Sequence, residues 1–95
     1  MRKFKTLDEI RVEIDKIDLK ILEQISKRKD LVTEVVKLKK RNQIVDEKRI
    51  KEILDNLDSE SEKKGLPKKL IKDLWKRMIK AFIEYEEDIF DKTQK

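Results

Sequence analysis

Arg28 and Lys39 are the residues best placed to do chemistry, because they interrupt an otherwise apolar helical face. At about 100° per residue, Arg28, Val32, Val35 and Lys39 fall within roughly 60° of one another. Two cations therefore share one face, and no acidic side chain lies on it. A cation on the apolar side of a helix needs an anion. Asp46 and Arg49 follow closely enough in the chain to fold back over Lys39. Further on, Trp75, Ile79, Phe82, Ile83 and Glu86 recur at steps of three and four, and Glu86 is the polar member of that row. The set describes a greasy pocket with several fixed cations and one carboxyl. That suits a compact dicarboxylate better than a metal ion. Singly, each residue has a plainer reading. A polar side chain at a helix seam, such as Gln24 or Arg28, commonly sets register or reaches out to water.

Composition narrows the chemistry further. Histidine and cysteine are absent from the 95 residues. Imidazole catalysis, thiol nucleophiles, Cys/His zinc sites and disulfides are thereby excluded. One glycine and one proline leave no material for a P-loop or a dinucleotide fingerprint. The 26 basic and 21 acidic residues give a net charge of +5, but the two signs alternate along the chain. Lys37 to Arg41 is the one real basic run, and the aromatics do not resemble a stacking platform, so no nucleic-acid partner is expected. A modest positive balance suits a small anionic ligand. With no signal peptide and no long apolar run, no membrane partner is expected, and the cytoplasm is the expected compartment.

Three helices must position these residues. Thr6-Leu7-Asp8-Glu9 reads as a capping box. From it Leu7, Ile10, Ile14, Ile17, Ile21, Gln24, Arg28, Leu31, Val35 and Leu38 recur at alternating steps of three and four, predicting one helix to about Lys40. At 1.5 Å per residue that helix is roughly 50 Å long. Residues 41–45 read as a short loop, and Asp46 as the N-cap of a second helix carrying Ile50, Ile53, Leu54 and Leu57. Gly65 supplies its stop, and Pro67 fits the first turn of a third helix running through Trp75 to Phe90. A helix of such length beside two shorter ones cannot bury its apolar stripe within one chain. The expectation is a single all-α domain over residues 1–95. Its one very long helix pairs with that of a second chain in an intertwined homodimer.

Read as motifs, the first helix opens Ile10-Arg11-Val12-Glu13-Ile14-Asp15-Lys16-Ile17-Asp18 and runs through Ile21-Leu22. Arg28-Lys29-Asp30-Leu31-Val32 and Val35-Val36-Lys37-Leu38-Lys39 follow, then Val45-Asp46-Glu47-Lys48-Arg49 and the stretch from Trp75 to Glu86. In this order the motifs resemble the all-helical chorismate mutases and the related isochorismate-pyruvate lyases, over essentially the whole chain. The resemblance implies that Arg28 grips one carboxylate of the substrate and Arg11 of the partner subunit the other. Lys39 would donate to the ether oxygen of the breaking bond and to a neighbouring carboxylate. Asp46, chiefly through its backbone, and Arg49 would close the loop side of the pocket. Val35, Ile79 and Ile83 would be apolar walls. Glu86 stands where many relatives carry a glutamine that also reaches the ether oxygen.

Two positions depart from the mutase pattern. Many mutases have Arg-Glu where this chain has Arg49-Ile50, so a carboxylate for the ring hydroxyl is missing. Many carry a small polar residue where this chain has Phe82. Both changes resemble the branch that contains lyases. Rearrangement of chorismate to prephenate, a step of aromatic amino-acid biosynthesis in the shikimate pathway, occurs within one molecule and needs no nucleophile, metal or cofactor. A chain without histidine or cysteine loses nothing for that task. The expected activity is that of a chorismate mutase, an isomerase; the alternatives are isochorismate-pyruvate lyase, which forms salicylate, and a non-catalytic helical dimerisation module.

Overall fold

The computed structural model describes residues 3–93. They form α1 (Leu7–Leu38), a 3₁₀ turn (Arg41–Gln43), α2 (Glu47–Lys64) and α3 (Lys68–Thr93), with no strand among them. The all-helical expectation and the number of helices hold.

Local signals explain the helix ends. The Thr6 hydroxyl accepts the Glu9 N–H at 3.2 Å, as its capping role requires. The Glu9 carboxylate reaches back one residue further than a standard capping box, accepting from the Lys5 N–H at 2.7 Å. Helix α1 closes at Leu38, two residues before the expected end, where the Lys39 N–H tightens onto the Val36 carbonyl at 3.3 Å. Asp46 caps α2, its side chain accepting from the Arg49 N–H at 3.0 Å. At the other end Gly65 adopts φ 67°, and the N–H groups of Gly65 and Leu66 bond the Glu62 and Ser61 carbonyls. That pairing is a Schellman stop, and the left-handed backbone is why glycine stands there. Pro67 lies just before α3 rather than inside its first turn, its carbonyl taking the first helical bond from the Ile71 N–H at 3.2 Å.

The chain divides into two compact units, one ending at Leu31 and the other beginning at Val32. Within the first, the helical stripe Leu7, Ile10, Ile14, Ile17, Ile21 and Leu31 is exposed throughout. A lone helix has nothing of its own to cover such a stripe.

In the second unit α2 and α3 run antiparallel, joined by the tight turn at Gly65 and Pro67. Lys72 meets Asp58 at 3.8 Å and Lys68 meets Glu62 at 3.7 Å. Val36, Ile44 and Ile79 are buried at the centre. Val36 is fully buried, whereas its neighbour Val35 is 41% exposed and Leu38 88% exposed. The last turns of α1 thus turn the side bearing Val32, Thr33, Val36 and Lys39 inward, and Thr33 touches Tyr85 of α3 through their hydroxyls at 3.3 Å. That inward side lies beside the seam formed by Val35 and Leu38. The Phe82 and Tyr85 rings meet edge to face, 6.3 Å between centroids, a favoured aromatic geometry.

Candidate active site

Lys39 and Glu86 meet, although 47 residues separate them in sequence. Lys39 sits just beyond the end of α1, where the chain leaves the helix, and is half-buried. Glu86 follows Ile79 and Ile83 on the inner row of α3 and is 7% exposed. The Lys39 ammonium donates to Glu86 Oε1 at 3.3 Å and to the Ile44 carbonyl at 3.5 Å. The Lys39 side chain keeps 23% of its surface exposed, so the pair is partly sheltered rather than sealed. An ammonium has three donors, and one remains to be directed at a ligand.

Lys39 also lines an open cavity of about 460 Å³, with Leu38, Asn42, Gln43, Val45, Asp46 and Glu47 around it. That volume is within the range of small-molecule sites. The 3₁₀ turn shapes one wall: the Gln43 side chain accepts from the Lys40 N–H at 2.7 Å, and the Gln43 N–H returns to the Lys40 carbonyl at 2.9 Å. Asp46, at the start of α2, lines the same cavity, so Lys39 and Asp46 share it as their closeness in sequence implied. Asn42, Gln43, Val45 and Glu47 also line it. Sequence periodicity gave no sign of them, because Asn42, Gln43 and Val45 lie in the loop, which obeys no helical repeat, and Glu47 is only the first residue of α2.

The remaining candidates lie in varied settings. Ile79 is buried, Ile50, Phe82 and Ile83 are half-buried, and Val35 is exposed. The Arg49 side chain is exposed and reaches Glu52 at 3.5 Å, away from Asp46, whose side chain is used on the Arg49 backbone. In the first unit Arg28 is half-buried on α1, while Arg11 is exposed and 3.8 Å from Asp8. These two arginines stand 17 residues apart on one helix, roughly 25 Å along its axis.

Arg41 was visible in the sequence only as the end of a basic run. Its guanidinium spans Asp91 and Glu87 of α3. Hydrogen bonding to Asp91, then to Glu87, holds it above its ordinary pKa. Among the described residues no group of three or more acidic side chains is placed to hold a metal ion, and no helix is long and apolar enough to cross a membrane.

Within the second unit a lysine just past the end of α1 meets a carboxylate of α3, and the same lysine lines the cavity, an all-helical setting with a cation directed at a ligand-sized space. Residues 10–87 match the family described as chorismate mutase type II, and the chain belongs to that family. No curated protein matches the chain. Family membership supports chorismate mutase-type function in general, with a chorismate-like substrate.

Proposed function

We propose that the protein is a chorismate mutase acting as a homodimer, rearranging chorismate to prephenate. The observation that supports this most is the Lys39 ammonium, held 3.3 Å from Glu86 on a sheltered face and lining the cavity that Asp46 borders. In the rearrangement the ether C–O bond breaks as a new C–C bond forms, within one cyclic shift of electrons. No proton and no leaving group departs. Two things accelerate such a step: holding the substrate in its compact reactive conformation, and placing cations where charge grows on the ether oxygen.

In this reading Lys39 meets the ether oxygen and a carboxylate. Arg28 binds one substrate carboxylate, and Arg11 of the partner subunit binds the other. Asp46 and Arg49 close the loop side, while Ile79, Ile83 and Val35 form apolar walls. Glu86 accepts from the Lys39 ammonium and so orients it toward the substrate. The homodimer is supported by the exposed stripe of α1, which a second copy of the same helix would cover.

A second reading, isochorismate-pyruvate lyase, is favoured by Ile50 and Phe82, both half-buried where mutases carry polar groups. In a non-catalytic dimerisation module, by contrast, alanine at Lys39 or Glu86 would change stability alone. One experiment separates the three. The purified protein is given chorismate and then isochorismate, and prephenate, pyruvate and salicylate are followed. Prephenate from chorismate is the expected result, and turnover of neither substrate would remove both enzyme readings.

A further inference from the structure

Arg41 opens the 3₁₀ turn, two residues after Lys39, and no role in binding substrate has been given to it. Its side chain nevertheless makes three hydrogen bonds to α3. Nε donates to Asp91 Oδ1 at 3.0 Å and Nη2 to Asp91 Oδ2 at 3.5 Å, while Nη1 donates to Glu87 Oε2 at 2.9 Å. Glu87 and Asp91 are four residues apart and so lie on one side of α3. Glu87 also directly follows Glu86. One short loop thus straddles one helix: Lys39 grips the inner residue Glu86, and Arg41 grips the outer residues Glu87 and Asp91.

The loop has little else of this kind to hold it. Its own backbone bonds, from Gln43 to Lys40 and from Ile44 to Arg41, shape the turn without tying it to α3. Ile44 is buried and anchors the far side of the turn. An isolated exposed ion pair fixes a chain poorly. A planar fork making three bonds to two carboxylates is the arrangement in which exposed charges do fix geometry. Lysine cannot reproduce it, since an ammonium is a point charge without a fork.

We propose that Arg41 is a positioning residue, clamping the 3₁₀ turn to Glu87 and Asp91 so that the Lys39 ammonium is held in the register where it meets Glu86. The effect on turnover rests on the chorismate mutase reading; the effect on Lys39 rests on the geometry alone.

The test compares wild type with Arg41→Ala, Arg41→Lys and the transposed pair Arg41→Asp/Asp91→Arg. The ¹⁵Nζ resonance of Lys39, assigned by its loss in Lys39→Arg, reports the pairing directly, with Glu86→Gln marking the signal of a broken ion pair. In Arg41→Ala this signal moves toward the Glu86→Gln position. Amide exchange at Gln43 and Ile44 quickens about two- to fivefold, the range for losing exposed ion pairs, while Leu66 and Ile71 in the α2–α3 turn keep their rates. kcat falls about tenfold with KM within about twofold, because slight misplacement of a catalytic cation acts on the transition state. Arg41→Lys recovers little, and the transposed pair restores the Lys39 signal.

A Lys39 signal unmoved in Arg41→Ala overturns the proposal, whatever happens to turnover. So does exchange that rises equally at Leu66 and Ile71, which would mark a merely structural residue. Should the wild type convert neither chorismate nor isochorismate, the functional reading falls by itself, and the Lys39 signal still decides the clamp.

Discussion

Mixing two inactive variants tests the shared site most sharply. Arg11 and Arg28 are 17 residues apart on α1, so their backbones differ by roughly 25 Å along the helix axis. An arginine reaches about 6–7 Å from its backbone, and the two point from different faces of the helix. A substrate of about ten ångströms cannot touch both within one chain. If both bind substrate, the second must come from an antiparallel partner helix. Removing either arginine deletes a charge-assisted hydrogen bond of about 1.5–3 kcal/mol, lowering kcat/KM by about one to two decades. In a heterodimer of Arg11→Ala with Arg28→Ala, one site receives both intact arginines and the other receives neither. Random exchange of equal amounts makes about half the dimers heterodimers, so about a quarter of wild-type activity should return. The assay is prephenate formation before and after subunit exchange, with exchange itself followed by mass-tagged subunits. Activity that stays at the sum of the two parents, once heterodimers are shown to form, would refute the shared site.

Three further outcomes are expected. Glu86→Ala, which leaves the Lys39 ammonium without its carboxylate, lowers kcat/KM by about one to two decades, the cost of one charge-assisted hydrogen bond, and an unchanged kcat/KM in a folded variant would take Glu86 off the list of catalytic residues. Ile50→Glu, which restores a carboxylate for the ring hydroxyl, raises mutase efficiency relative to any lyase activity by about one to two decades; an unchanged ratio in a folded variant contradicts the specificity assigned to Ile50. Gly65→Ala meets no neighbouring atom within 4 Å, so its cost is the left-handed backbone alone. That amounts to about 1 kcal/mol, or a Tm lower by about 4–8 °C in a domain of this size, read by thermal unfolding.

The helix boundaries were legible because their causes are local. Thr6, Asp46 and Gly65 act on backbone groups within a few residues of themselves, so their types and positions suffice. The family was legible for a related reason: the order and spacing of motifs along α1 and α3 is information carried in the chain itself. Which face of α1 is buried beyond Val32 was decided by tertiary structure. The repeat through Val35 and Leu38 is a genuine apolar stripe, yet the buried residue is the neighbouring Val36, on the side where Thr33 and Lys39 meet Tyr85 and Glu86 of α3. Periodicity ranks the faces of one helix by hydrophobicity, and a second helix selects among them. The same limit applies to charges. Glu86 stood out as a polar residue in an apolar row, yet its pairing with Lys39 depends on two elements meeting. Arg41 stood out only as the end of a basic run. A basic residue in a loop looks the same whether it faces water or grips Glu87 and Asp91, since the carboxylates that distinguish the two cases lie 46 and 50 residues away and are brought near only by the packing of α3.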